Sequence, residues 1–100
     1  MSFAEFQTTV AQAGDAAKPP AGLNLRLQAL WHDARGEWDE AHRCVQDESG
    51  GDGAWVHAYL HRKEGDLGNA AYWYRRAGKS VPAEGTGLAE EWEMIARALL

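Results

Sequence analysis

The residues best suited to chemistry lie between Ala54 and Gly78, where two of the chain's four histidines stand four positions apart. His57 and His61 would project from one face of a helix, and this spacing is used by two-histidine metal sites. His32 is a candidate third ligand, because it precedes His61 by the period of an internal repeat. The alternative is that these histidines pack inside the fold and bond internally, since short spacing motifs are often coincidental. We expect that structural role, and therefore no metal ion or other cofactor.

The same segment also concentrates aromatic rings and positive charge. Together with the two histidines, the candidate binding residues are Arg62, Tyr72, Trp73, Arg75 and Arg76. Arginine side chains suit the recognition of carboxylates, but they also form structural ion pairs. Tyr72 and Arg76 are four positions apart and could form a cation–π pair on a solvated face. The segment thus predicts either a surface for an anionic group or a set of internal pairs.

Composition limits the classes of function. The chain has 100 residues and a formal net charge of -5, which suits one domain over residues 1–100 and argues against nucleic-acid binding. Cys44 is the only cysteine, so an intramolecular disulfide is excluded and a reducing cytoplasm fits. No stretch reads as a signal peptide or approaches the length of a membrane span. Because the sequence also lacks a phosphate loop, a catalytic triad order and a cysteine pair for zinc, we expect a non-enzymatic cytoplasmic protein.

Helical periodicity runs through the whole chain, and no segment has the period-two alternation of a strand. This pattern predicts an all-α fold of five to six helices. Its expected parts are an N-terminal helix in residues 1–14, a proline-containing linker in 15–22, two helical hairpins in 23–82 and a C-terminal helix in 83–100. Ser2 and Glu5 form a capping box at the first helix, and Asp52, Asp66 and Thr86 are expected N-caps of later ones.

The last helix is expected to bury an apolar stripe. Its members are Leu88, Trp92, Ile95 and Leu99. Glu90, Glu91 and Glu93 fall in the first turns of this helix, where the helix dipole favours negative charge. We therefore interpret these acids as partners of the dipole.

Two glycine hinges match each other along the chain. Gly36 and Gly65 are each followed by an acid, a large apolar residue, two further residues and an alanine, which is Ala41 or Ala70. Glycine tolerates the left-handed conformation that ends a helix, and alanine allows two helices to approach closely. The pattern predicts two tandem antiparallel hairpins.

The second hairpin resembles a tetratricopeptide repeat. The residues that carry the resemblance are Gly65, Asp66, Leu67, Ala70, Tyr74, Ala77 and Pro82. Residues 57–66 and 72–79 are also similar to stretches in a group of small uncharacterised bacterial proteins. The resemblance implies a bacterial cytoplasmic domain in which the first helices of the two hairpins line a groove for a peptide, with the terminal helices as caps.

These observations favour a non-enzymatic interaction module. Its partner would be a protein or peptide of unknown identity, or a second copy of the chain bound through the tryptophan-rich surface. The alternative is a small-molecule binding protein or enzyme that holds an anionic ligand in a pocket of His57, His61, Tyr72 and Arg75. A closed cavity with these groups would favour the second class, and an open apolar groove would favour the first.

Overall fold

The computed structural model describes residues 1–14 and 18–100, and within them the chain forms six helices and no strand. The helices are α1 (Phe3–Gln12), α2 (Leu25–Ala34), α3 (Trp38–Val45), α4 (Gly51–Glu64), α5 (Leu67–Ala77) and α6 (Leu88–Leu99). The predicted all-α fold is confirmed. Residues 15–17 of the predicted linker lie outside the described residues. None of the six helices combines the length and apolar character that crossing a membrane requires.

The helix ends follow local sequence signals, with two exceptions. The capping box of Ser2 and Glu5 is present at α1, and the Asp66 side chain accepts a hydrogen bond from a backbone amide in the first turn of α5. The caps expected at Asp52 and Thr86 are wrong. Asp52 lies inside the first turn of α4, and the cap of α6 is the residue after Thr86. Both of these helices are preceded by a glycine in an extended conformation, without a side-chain cap.

Helices α2 and α3 pack together as one hairpin, and α4 and α5 pack as another. Gly36 and Gly65 have φ angles of 77° and 89°, the left-handed conformation that lets the chain reverse within a very short connection. Ala41 and Ala70 are both buried, in agreement with their expected packing role. Helix α4 also packs against α2 and α3, and these contacts join the two hairpins.

Helix α6 covers the surface that the first helices of the hairpins share. It packs against both α2 and α4, and the Trp92 indole donates a hydrogen bond of 2.9 Å to the Leu30 carbonyl. Phe6 of α1 stacks on Trp92 at a centroid distance of 5.7 Å. The groove expected on α2 and α4 is therefore covered by the chain itself.

Helix α4 is the centre of the fold, and it carries polar groups on two opposite faces. All residues from Gly53 to His61 are buried. Because successive residues of a helix are turned by about 100°, His57 and His61 share one face while Tyr59 and Lys63 point about the opposite way. The buried polar groups of α4 consequently belong to two separate clusters.

Candidate functional site

The first cluster, called here the histidine cluster, consists of His42, His57 and His61. His42 comes from α3 and the other two come from α4. One ring nitrogen from each residue lies within 4.8 Å of the other two. The centroid of the His57 ring is 4.7 Å from each of its two neighbours, and those of His42 and His61 are 5.3 Å apart.

Hydrogen bonds fix part of the protonation pattern in this cluster. His61 Nδ1 is 2.9 Å from Glu64 Oε1, and an ionised carboxylate can only accept, so Nδ1 carries the proton. His61 Nε2 then has a lone pair, which faces the Asn69 amide nitrogen at 3.3 Å. The Nε2 atoms of His42 and His57 are 3.0 Å apart, so one donates and the other accepts. His57 Nδ1 is buried and has no hydrogen-bond partner.

Two tryptophans hold the imidazole rings in place. Trp38 stacks on His42 at 5.0 Å and an interplanar angle of 11°, and Trp73 of α5 stacks on His57 at 4.0 Å and 19°. The Trp38 indole is itself anchored, since its nitrogen donates a hydrogen bond of 2.8 Å to the Leu60 carbonyl. The rings are thus oriented by packing from three helices.

The surroundings of the cluster favour the neutral form of His57 and His42. Burial lowers the pKa of His57 to about 4, and repulsion from a protonated His42 or His61 acts in the same direction. Burial also lowers the pKa of His42, with a further contribution from His61. Neutral imidazole is the form that can donate a lone pair to a metal ion.

His32, the expected third ligand, is not part of the cluster. Its Nδ1 lies 2.8 Å from Glu37 Oε1 in the connection between α2 and α3. The structure places His42 beside His57 and His61 instead. The sequence signal that could have identified His42 is its spacing from Trp38, four positions earlier on α3, which puts both rings on the face that packs against α4.

Arg62 belongs to the second cluster, which is called here the carboxylate–tyrosine network. The members of this network are Asp33, Tyr59, Arg62, Lys63, Tyr74 and Glu91. Glu91 of α6 is 1% exposed, and it accepts hydrogen bonds from Arg62 at 2.8 Å and from the Tyr74 hydroxyl at 2.5 Å. Arg62 also donates to the Thr86 carbonyl. The arginine expected at a ligand site therefore fastens α6 to α4.

Asp33 forms the other half of this network. It is 2% exposed, and its carboxylate accepts a hydrogen bond of 2.7 Å from the Tyr59 hydroxyl and one of 2.8 Å from Lys63. Burial raises the pKa of both Tyr59 and Tyr74, and the adjacent carboxylates raise it further. Both hydroxyls consequently remain protonated and act as donors.

The remaining predicted residues lie on α5 and are called here the contact patch: Tyr72, Arg75 and Arg76, which are exposed, and Trp73, which is half-buried. The Arg76 guanidinium lies 5.7 Å from the Tyr72 ring and 5.8 Å from the Trp73 ring, so the predicted cation–π pair is confirmed. Arg76 is also held by a hydrogen bond of 2.6 Å to the Ser49 carbonyl. Tyr72 is 46% exposed and Arg75 is exposed.

A cavity of about 280 Å³ lies where α6 meets α2 and α4. Its lining includes Asp33, Tyr59, Lys63, Leu88 and Trp92, and none of the residues predicted to bind a ligand. The predicted site residues are thus divided among the histidine cluster, the carboxylate–tyrosine network and the contact patch.

Cys44 is half-buried, and burial raises the pKa of its thiol, as does the nearby Glu40 carboxylate. It therefore stays a thiol at neutral pH, as expected for a packing residue rather than a nucleophile.

Comparison with protein-family models, with curated proteins and with solved structures finds no match for this chain.

Proposed function

We propose that this chain is a non-enzymatic interaction module that binds an acidic segment of a partner protein through the contact patch. The observation that carries this proposal is that the patch is both exposed and held in place. Arg76 bridges two aromatic rings and the Ser49 carbonyl, so its side chain is already ordered before a partner arrives. Ordered tyrosine, tryptophan and arginine side chains are enriched at the centres of protein interfaces.

Charge supports an acidic partner. The chain has a formal net charge of -5, yet the patch presents two arginines on one helix. Arginine forms paired hydrogen bonds with carboxylates, and the exposed Tyr72 ring adds apolar area beside them. A segment that carries aspartate or glutamate next to an apolar side chain matches this surface.

The fold also supports an interaction role. Two hairpins with matched glycine hinges support a tetratricopeptide-like module. The similarity of residues 57–66 and 72–79 to stretches of small bacterial proteins supports a bacterial origin, and the single thiol of Cys44 fits a reducing cytoplasm. Because α6 covers the surface shared by α2 and α4, the contact moves to the outer face of α5. A second copy of the chain remains another candidate occupant of this face.

The alternative class, an anionic small molecule in a pocket of histidine, tyrosine and arginine, has less support. Arg62 is engaged with Glu91, and Arg75 lies on the exposed side of α5. The groups that would form such a pocket therefore face different directions.

The test is selection of peptides from a random display library on the wild-type chain, followed by affinity measurements on the enriched sequences by fluorescence anisotropy. Arg76→Ala removes the bridging guanidinium. Arg97→Ala is a matched control, because Arg97 is also an exposed helical arginine, with its guanidinium 4.2 Å from the Phe3 ring. We expect acidic peptides whose affinity falls about tenfold in Arg76→Ala and is unchanged in Arg97→Ala.

Three results would contradict the proposal. They are the absence of any enriched sequence, enrichment of peptides without acidic residues, and equal binding by wild type and Arg76→Ala. Sedimentation of the free chain at several concentrations identifies the homodimer, since wild type would then self-associate and Arg76→Ala would not.

A further inference from the structure

Three ring nitrogens converge in the histidine cluster because two separate helices present them to the same point. One nitrogen from each of His42, His57 and His61 lies within 4.8 Å of the others, and the closest pair is 3.0 Å apart. Two nitrogens bound to one tetrahedral zinc ion lie about 3.3 Å apart, since each zinc–nitrogen bond is about 2.0–2.1 Å long. The nitrogen separations, at most 4.8 Å, exceed this value by no more than about 1.5 Å, so a modest approach of the three rings would bring them to the spacing of ligands on one ion.

The protein alone does not satisfy the polar atoms of His57. If its Nε2 accepts from His42, then Nδ1 is a buried donor without an acceptor, and if its Nε2 donates, then Nδ1 is a buried acceptor without a donor. Either tautomer leaves one buried atom unpaired, which is unfavourable. The His57 ring therefore retains a nitrogen that can still bond to a ligand.

His61 is oriented in the way that metal-binding histidines are. The Nδ1 proton is donated to Glu64, which directs the lone pair of Nε2 away from that carboxylate. Within the described residues, the hydrogen-bond partner of this lone pair is the Asn69 amide nitrogen at 3.3 Å, a long hydrogen bond that an ion can displace. Carboxylates behind histidine ligands also raise the basicity of the ring.

The surroundings restrict water and keep the rings fixed. Trp38 covers one face of His42 and Trp73 covers one face of His57. His42 is only half-buried, so the cluster is not fully enclosed on the side of α3. Preorganised ligands in a partly apolar shell lose little entropy when a metal binds.

We propose that His42, His57 and His61 bind one divalent transition-metal ion. Three imidazole nitrogens match zinc best among the common cellular metals, and they leave a fourth coordination position open. Glu64 is a positioning residue for His61 rather than a ligand. The three proposed ligands come from α3 and α4, and the site shares only the supporting Trp73 with the contact patch.

The test is isothermal titration of the metal-stripped full chain with zinc sulfate. His42→Gln removes one ligand at a half-buried position, and His32→Gln is the matched control, since His32 also bonds a glutamate but lies outside the cluster. We expect one zinc ion per chain in wild type and His32→Gln, and an affinity at least about tenfold weaker in His42→Gln. Circular dichroism establishes that each variant is folded.

Cobalt binding by the wild type gives a second measurement that does not depend on any variant. Cobalt(II) held by three imidazoles in a tetrahedral site should produce visible absorption that saturates at one ion per chain and disappears when zinc is added. The proposal is overturned if wild type shows no saturable zinc binding, if His42→Gln folds and binds zinc as tightly as wild type, or if the cobalt spectrum is that of the aqueous ion.

Discussion

Both faces of α4 carry buried polar side chains, but the groups that these side chains meet differ between the two faces. On one face, Tyr59, Arg62 and Lys63 meet two carboxylates, and their hydroxyl and cationic groups donate hydrogen bonds of 2.7–2.8 Å to them. On the other face, His57 and His61 meet a third histidine, and one buried nitrogen is left without a partner. The first arrangement pairs opposite charges, and the second assembles groups that repel each other when protonated.

Because of this difference, we assign the stability of the fold to one face of α4 and the capacity to bind a ligand to the other. A buried ion pair with satisfied hydrogen bonds fixes the packing of α6 against α4, and removing one partner leaves the other charge buried and unpaired. A cluster of neutral imidazoles contributes little through its own hydrogen bonds, but it keeps lone pairs available. We therefore expect substitutions in the carboxylate–tyrosine network to change the free energy of unfolding, and substitutions in the histidine cluster to change metal binding.

The largest effect is expected from Glu91→Ala. The substitution leaves the Arg62 guanidinium and the Tyr74 hydroxyl without their buried acceptor, and removal of one partner from a buried pair costs about 3–5 kcal/mol. Urea denaturation followed by tryptophan fluorescence measures the change. Glu93→Ala is the control, because Glu93 pairs with Arg97 at the surface, and this substitution should cost less than about 1 kcal/mol. Equal effects of the two variants would show that Glu91 is not structural.

A second effect compares one residue from each face. Tyr59→Phe removes the hydroxyl that donates to the buried Asp33, and loss of a hydrogen bond to a charged group costs about 1.5–3 kcal/mol. His57→Leu replaces a ring whose Nδ1 has no partner and whose other nitrogen pairs only with the half-buried His42. It should change the free energy of unfolding by less than about 1 kcal/mol.

Urea denaturation of Tyr59→Phe and His57→Leu, with a chelator present, measures the change in the free energy of unfolding for both variants. A cost for His57→Leu that exceeds the cost for Tyr59→Phe would reverse our interpretation, because the histidine cluster would then be the structural element.

The sequence predicted part of the histidine face of α4. The spacing of His57 and His61 correctly placed both rings on the same side of α4. It did not identify His42, because the repeat aligned His32 with His61. That alignment relates residues that occupy equivalent positions in two hairpins, whereas contact depends on which face each helix turns toward α4. Both α2 and α3 pack against α4, but it is α3 that presents a histidine to His57 and His61.

The burial of Glu91 was missed for a similar reason. Its position after the N-terminus of α6 suggested an exposed partner of the helix dipole, yet it is also three residues after Leu88 and four before Ile95, on the stripe predicted to be buried. A carboxylate on an apolar stripe requires a partner, and Arg62 on α4 provides it. The expected stripe is only partly buried, since Ile95 is enclosed while Leu88 is 37% exposed.

Acid should destabilise the metal-free protein because it protonates His57 more readily in the unfolded chain than in the fold. The pKa of His57 is about 4 in the fold and about 6.5 in an unfolded chain, so the unfolded state binds more protons between these values. Stability therefore falls as pH drops through this range, by about 2 kcal/mol at a pH of about 5 relative to neutral. His42 and His61 face the same ring, and repulsion from either of them when protonated lowers the pKa of His57 further. The pKa of His42 is also lowered, so His42 contributes to the loss in the same direction.

The control is the same pair of measurements on His57→Leu, with chelator present throughout. Other groups titrate in this range, so the relevant quantity is the difference between wild type and variant. The acid-induced loss should be smaller in His57→Leu. Parallel curves for the two proteins would mean that His57 is not held neutral by the fold.

The smallest effect on stability is expected at Glu64, and a comparison with the adjacent Lys63 separates the two faces of α4. Lys63→Met removes the charged partner of the buried Asp33 and leaves Tyr59 as its donor, so it should cost about 1–3 kcal/mol, while zinc affinity stays unchanged. Glu64→Gln keeps the shape of the side chain behind His61, so stability should change by less than about 0.5 kcal/mol. Zinc affinity should nevertheless fall about tenfold, because the carboxylate no longer orients and polarises a ligand. Urea denaturation measures the change in stability of both variants, and zinc titration measures the change in their affinity for zinc. If the loss of zinc affinity follows the loss of stability across the pair, the two faces are not functionally distinct.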